Sequence, residues 1–271
     1  MQTDLAIIEL TLQPRKFNHI PEWQGRSAQA LFYSALHQIN PIVSETIHDL
    51  HKWHPIMPKP FTMSTLTGAK HVKDLIEINP NRLLKLKLTT LHPHLTSIAI
   101  NGIIPIWQYQ GISLHDQSFW IRRTHRIKAT YADLLASDND NECIDLHFLS
   151  PTAFKQTNKG HLAKPVPDYV FGSLYRRWNS FADEQLPLHL YDVIKEKIEI
   201  VEQDTKQRNL SFARGRKGII RGFYGHVRFI INDSSREARQ LLNSLASFAP
   251  FSGIGIKTTI GMGQTVFLES D

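Results

Sequence analysis

From Ala28 to Ile39 the apolar residues Ala28, Leu31, Phe32, Ala35, Leu36 and Ile39 recur three or four positions apart with polar residues between them, which predicts an amphipathic helix. An apolar run from Leu5 to Leu12 precedes it and predicts a strand. Further strands are expected at 61–66 and 82–88, then a short helix near 90–99 and β-runs around 103–110 and 118–122. The pattern then starts again, with a strand at 144–149 and a helix over about 167–181. Strands at 193–200, 210–212 and 223–231 follow, then a helix over 234–249 with Asp233, Ser234 and Ser235 as N-cap candidates, and a last strand from Gln264 to Leu268. Two β-α-β-β-α-β passes in series predict an α+β protein of two tandem ferredoxin-like domains, over residues 1–125 and 140–271. The polar stretch Ser137-Asp138-Asn139-Asp140-Asn141-Glu142 reads as an exposed turn near the joint, and it lacks the glycine of a calcium loop.

Composition narrows the class without choosing a function. The 271 residues, 41% hydrophobic and 21% charged, suit a globular chain of two ordinary domains. No run approaches the ~20 apolar residues of a membrane span, and Met1-Gln2-Thr3-Asp4 lacks the basic-then-apolar order of a signal peptide, so a cytoplasmic location is expected. The single cysteine, Cys143, excludes an internal disulfide and reads as a buried structural thiol on a strand.

The charge of +6 is concentrated. Between Lys206 and Gly225 stand Lys206, Arg208, Arg214, Arg216, Lys217 and Arg221 with no acidic residue, interleaved with Phe212, Phe223 and Tyr224. A second cluster runs Arg122-Arg123-Thr124-His125-Arg126-Ile127-Lys128. Cations that neutralise phosphates beside rings that stack on bases are the mixture found in RNA-binding surfaces; a solvated basic hairpin has the same composition. The tail adds Gly253-Ile254-Gly255-Ile256-Lys257-Thr258-Thr259-Ile260-Gly261-Met262-Gly263. Its glycines permit φ > 0 and close approach, so successive N–H groups are expected to face a phosphate-bearing ligand, with Lys257 as a mobile cation. It opens into a β-run rather than a helix, and Ile256 stands where a P-loop needs glycine, which disfavours both nucleotide-fold readings. Gly253, Gly255, Lys257, Thr258, Gly261 and Gly263, with Lys155, Arg214, Arg216, Lys217 and Arg221, are the expected RNA-binding residues.

The glycine tail, the segment Leu149-Ser150-Pro151-Thr152-Ala153-Phe154 with Trp178-Asn179 downstream, and Lys59-Pro60-Phe61-Thr62-Met63-Ser64 together resemble the repeat-processing CRISPR-associated endoribonucleases of the repeat-associated mysterious protein superfamily. The resemblance covers nearly the whole chain. It implies tandem ferredoxin-like domains and metal-independent cutting of CRISPR transcripts within each repeat, with no cofactor. Members with a catalytic Tyr-His-Lys set carry the tyrosine near the end of the first helix. The histidine follows an aliphatic residue after an Asn-Pro step, and the lysine closely precedes a Phe-Thr-x-Ser strand. By those local matches Tyr33, His48 and Lys59 occupy the three positions, with His51 as the alternative histidine because 49–58 is longer than the family usually has.

The chemistry asked of them is modest. The 2′-hydroxyl of RNA is its own nucleophile, so the protein need only move protons and stabilise charge, and an imidazole is suited to the former near neutral pH. A metal site from His48, His51 and His54 is disfavoured, because they spread around a helix and no cysteine is near. CRISPR repeat RNA is the expected partner, with subunits of an RNA-guided interference complex and a second copy of the chain as further candidates. A catalytically silent repeat-RNA binder and a structural subunit of an RNA-guided complex are the alternatives to the enzyme.

Overall fold

The computed structural model describes residues 3–156, 160–212, 218–233 and 235–268. Contacts divide the chain into two units, one of residues up to Ala129 together with Thr259–Gly261, the other of Thr130–Thr258 together with the residues from Met262 on.

In the first unit, β1 (Leu5–Pro14) covers the expected apolar run, and its burial alternates, with Ala6, Ile8, Leu10 and Leu12 fully buried. The short strand β2 (Asn18–Pro21) leads to α1 (Gly25–Ile39) and α2 (Pro41–Trp53). Then come β3 (Phe61–Met63), β4 (Lys70–Val72), β5 (Leu75–Ile78) and β6 (Leu84–Thr90), followed by α3 (Pro93–Ile98), α4 (Ile104–Gln110), β7 (Ile112–Leu114) and β8 (Gln117–Ala129). The main sheet runs β3-β6-β1-β8-β7, and each pairing is antiparallel. Its order is that of a ferredoxin-like fold with the β7 hairpin added at one edge. β2, β5 and β4 form a small separate sheet. The α1 face of Ala28, Phe32, Ala35 and Leu36 joins the core built on β1, as its periodicity requires.

The second unit contains α5 (Tyr131–Leu135), β9 (Cys143–Thr152), β10 (Phe154–Gln156), β11 (Gly160–Leu162), α6 (Pro167–Phe181), α7 (His189–Glu196), β12 (Ile198–Ser211), β13 (Ile219–Ile231), α8 (Arg236–Ser252) and β14 (Thr265–Leu268). Its sheet order β12-β13-β9-β14 is again ferredoxin-like, with α6 and α8 as the two crossovers. The chain is thus two ferredoxin-like domains in series.

Two expected strands are helical. Residues 103–110 are rich in isoleucine and aromatics, yet Ala99, Ile103, Ile104 and Trp107 bury at helical spacing, and a π-helical turn over Ala99–Ile103 continues straight into α4. Residues 193–196 close α7, where Leu190 and Ile194 are buried one turn apart, and the strand begins only at Ile198. Tertiary burial overrode β-propensity in both. Ser235, not Asp233, caps α8, its Oγ accepting from Ala238 N at 3.3 Å; Ser234 lies outside the described residues. Cys143 is half-buried rather than buried, because it opens β9. No helix among the described residues is long and apolar enough to cross a membrane.

Candidate active site

Asn40 both ends α1 and begins α2. Its N–H donates to Leu36 O at 2.8 Å, its side-chain oxygen accepts from Val43 N at 3.1 Å, and Pro41 fills the first helical position, where no N–H is needed. The two helices therefore follow one another without a loop. Tyr33 stands in the middle of α1, not near its end, and its ring meets the His48 ring edge-on with centroids 5.4 Å apart. Phe61, at the start of β3, packs edge-on against Tyr33 at 5.5 Å and stacks on Phe32 at 4.1 Å. Lys59, just upstream of that strand, donates through Nζ to Tyr33 Oη at 2.7 Å and to the His48 carbonyl at 3.2 Å. The three residues expected to act together are in direct contact.

Their electrostatics differ. Burial pushes the Tyr33 phenol well above its usual range in spite of the hydrogen bond that Lys59 donates, so the phenol stays protonated. Burial also draws the Lys59 ammonium below its ordinary value, partly opposed by the Asp49 charge. His48 is exposed, and its Nδ1 lies 2.9 Å from Asp49 Oδ1, while Asp49 Oδ2 accepts from Lys52 Nζ at 2.8 Å. The hydrogen bonds from Lys52 and His48 hold the Asp49 carboxyl below the usual carboxylate range. An ionised carboxylate only accepts, so Nδ1 of His48 carries the proton and Nε2 is left for other work.

A cleft of about 370 Å³ opens beside this group, lined by Tyr33, Ser34 and His37 of α1 and by Ser44, Glu45, His48 and Asp49 of α2. His51 does not line it. His37, Glu45 and Asp49 escaped the sequence reading. The signal that could have found them is helical spacing, since His37 lies four residues beyond Tyr33 and Glu45 four before Asp49. No three His, Cys, Asp or Glu side chains among the described residues are grouped to hold a metal ion.

The glycine tail is built differently from its expected role. Gly253, Gly255, Gly261 and Gly263 all have positive φ, but the amides of Gly253, Gly255 and Gly263 are spent within the chain. Gly253 N donates to Ala249 O, Ile254 N to Gly263 O, Ile256 N to Ala153 O and Gly263 N to Pro151 O, at 2.9 to 3.1 Å. Gly255 N donates to Ser173 Oγ at 3.0 Å and Gln264 N to Ser150 Oγ at 2.9 Å. The tail and the Ser150–Phe154 motif therefore zip together. From beneath, the buried Arg177 guanidinium donates to Gly255 O at 2.9 Å and Thr258 Oγ1 at 3.1 Å; burial and the neighbouring Arg176 draw its pKa down to about 10. Thr258 is likewise buried. These six amides do not face a ligand; a Cβ on Gly255 would sit 2.4 Å from Ala153 O and one on Gly263 2.0 Å from Ile254 O, which is why the positions are glycine. Lys257 is exposed with its Nζ 5.2 Å from the Phe212 ring centroid, and Lys155 on β10 and Arg221 on β13 are exposed as well. Arg214, Arg216 and Lys217 lie outside the described residues.

Residues 146–265 match the family model of the CRISPR-associated endoribonuclease Cas6. The chain resembles the Cas6 endoribonucleases. Among solved structures it is similar to a product complex of Thermus thermophilus Cas6 (TTHB231), at 23% identity and a TM-score of 0.80 over 99% of this chain and 100% of that one. A structure of Thermus thermophilus Cas6 (TTHB231) matches at 23% identity and a TM-score of 0.72, with the same coverage. A Cas6-related protein of Pyrococcus furiosus matches at 16% identity and a TM-score of 0.66, over 98% of this chain and 100% of that one. No curated protein sequence matches. The Cas6 model covers the zipped tail and the Ser150–Phe154 segment, while Tyr33, His48 and Lys59 lie upstream of it.

Proposed function

We propose that this chain is an endoribonuclease that cuts CRISPR repeat RNA by metal-independent transesterification. The observation that carries the reading is the Lys59–Tyr33–His48 contact, with the lysine donating at 2.7 Å to a phenol packed against the histidine ring, beside an open cleft. The Cas6 model match and the Cas6 product complex among the similar folds supply the substrate class.

In this reading the scissile phosphate lies in the cleft. His48 Nε2 takes the 2′-hydroxyl proton as O2′ attacks phosphorus and the bond to O5′ breaks, leaving a 2′,3′-cyclic phosphate and a 5′-hydroxyl. Asp49 fixes the tautomer and steadies the imidazolium that forms. The Tyr33 phenol, protonated, donates to a non-bridging oxygen, and Lys59 holds that phenol while adding positive charge as the phosphorane develops. Lys257, Lys155 and Arg221 neutralise flanking phosphates, and the tail glycines shape the platform that presents Lys257.

The test is cleavage of repeat RNA in EDTA, beside RNA with a single 2′-deoxy residue at the scissile position and beside His48→Ala. Cutting that survives EDTA and vanishes with the other two supports the reading. Cutting that needs a divalent ion refutes the mechanism, and tight binding without cutting moves the chain to the silent RNA binders.

A further inference from the structure

We propose that His37 is a second catalytic histidine, the acid that protonates the departing 5′-oxygen in the cleft it shares with His48. The inference rests on the ribonuclease reading above.

Transesterification moves two protons, one off the 2′-hydroxyl and one onto O5′, and a single histidine cannot stand on both sides of an in-line displacement at once. Of the groups around His48, three are already committed. The Tyr33 phenol is held far above neutral by burial, which makes it a hydrogen-bond donor and a poor proton source. Lys59 Nζ is taken up by Tyr33 Oη and the His48 carbonyl and does not line the cleft. Asp49, ionised between Lys52 and His48, has no proton to give. His37 is different: it is exposed and lines the same cleft, four residues after Tyr33 on α1, and therefore on the same helix face one turn along. An imidazole is the side chain suited to proton transfer near neutral pH, and His37 shares the cleft with Glu45 of α2.

The step balances. The 2′-hydroxyl proton passes to His48 Nε2 as the O2′–P bond forms; the P–O5′ bond breaks, and O5′ takes its proton from the His37 imidazolium. The phosphate charge is the same in diester and cyclic product. His48 ends protonated and His37 neutral, and exchange with water resets both.

The test uses the full chain and two repeat RNAs, one natural and one with sulfur in place of the scissile O5′, since a thiolate leaves without protonation. His37→Ala is expected to cut the natural RNA ~10²- to 10³-fold more slowly than the parent and the sulfur RNA within about tenfold of it. His48→Ala is expected to be slow on both. His37 is exposed, so its variants keep the parent's melting temperature, and His37→Gln is expected to behave as His37→Ala does. A parent-like rate of His37→Ala on natural RNA overturns the proposal, and so does a slowing that sulfur does not relieve. If the parent itself cuts 2′-deoxy RNA, the transesterification reading falls and His37 with it, a result separable from the other two.

Discussion

Gly263→Ala separates the two roles open to the glycine tail, contact with RNA and closure of the fold. Gly263 has φ +67°, and a Cβ there would lie 2.0 Å from Ile254 O and 3.0 Å from Ile254 C. Left-handed backbone costs an alanine about 1–2 kcal/mol. The overlap is with backbone, so the chain must shift by more than an ångström, at the expense of Ile254 N to Gly263 O (2.9 Å) and Gly263 N to Pro151 O (3.1 Å), each about 1 kcal/mol. The sum is about 3–4 kcal/mol, on the order of 10 °C for a chain of this size. The assay is urea unfolding followed by tryptophan fluorescence, with fluorescence anisotropy of labelled repeat RNA at two salt concentrations. Gly160→Ala is the control, since Gly160 has φ +78° but no atom within 4 Å of its built Cβ, so it carries strain alone, about 1–2 kcal/mol. Lys257→Ala, on an exposed side chain, is expected to change stability by less than about 0.5 kcal/mol while weakening RNA binding and lowering its salt slope by about one. A Gly263→Ala protein with the parent's midpoint and weakened RNA binding would refute the fold-closing role.

The remaining predictions concern buried charge and the site. Burial draws Lys87 down to about 8, against a small opposing effect of Glu9. The native state therefore loses this proton before the unfolded chain does, and stability rises with pH from about 8 to the ordinary lysine value near ~10.4. Lys87→Met is expected to abolish that rise and to stabilise the protein at pH 7 by up to about 3 kcal/mol, read from urea midpoints between pH 7 and 10 without RNA. Arg177→Met leaves Gly255 O and the Thr258 hydroxyl without their buried donor, and is expected to cost about 2–4 kcal/mol in the same unfolding assay; an unchanged midpoint would show the arginine to be dispensable. Asp49→Asn is expected to slow cleavage roughly tenfold with RNA affinity unchanged, in single-turnover kinetics, since it removes the carboxylate that holds His48 Nδ1.

Much of the fold was legible because it is written in local periodicity. The buried face of α1 follows from residue spacing and the place of β1 from its apolar run, and Asn40-Pro41 specifies a helix end and a helix start whatever surrounds it. The contact of Tyr33, His48 and Lys59 was reached through family resemblance laid on those elements, since a histidine among fourteen carries no mark of its own. Residues 103–110 misled because isoleucine and tryptophan favour strands in isolation, and only the burial of Ile103, Ile104 and Trp107 against the rest of their unit selects the helix. Likewise, four glycines at positive φ were readable as a backbone that must bend, yet where its N–H groups point depends on Ala153, Pro151 and Ser173, about a hundred residues away in sequence. Conformational preference is a property of the residue and its neighbours; burial and hydrogen-bond pairing belong to whichever distant segments the completed fold brings alongside.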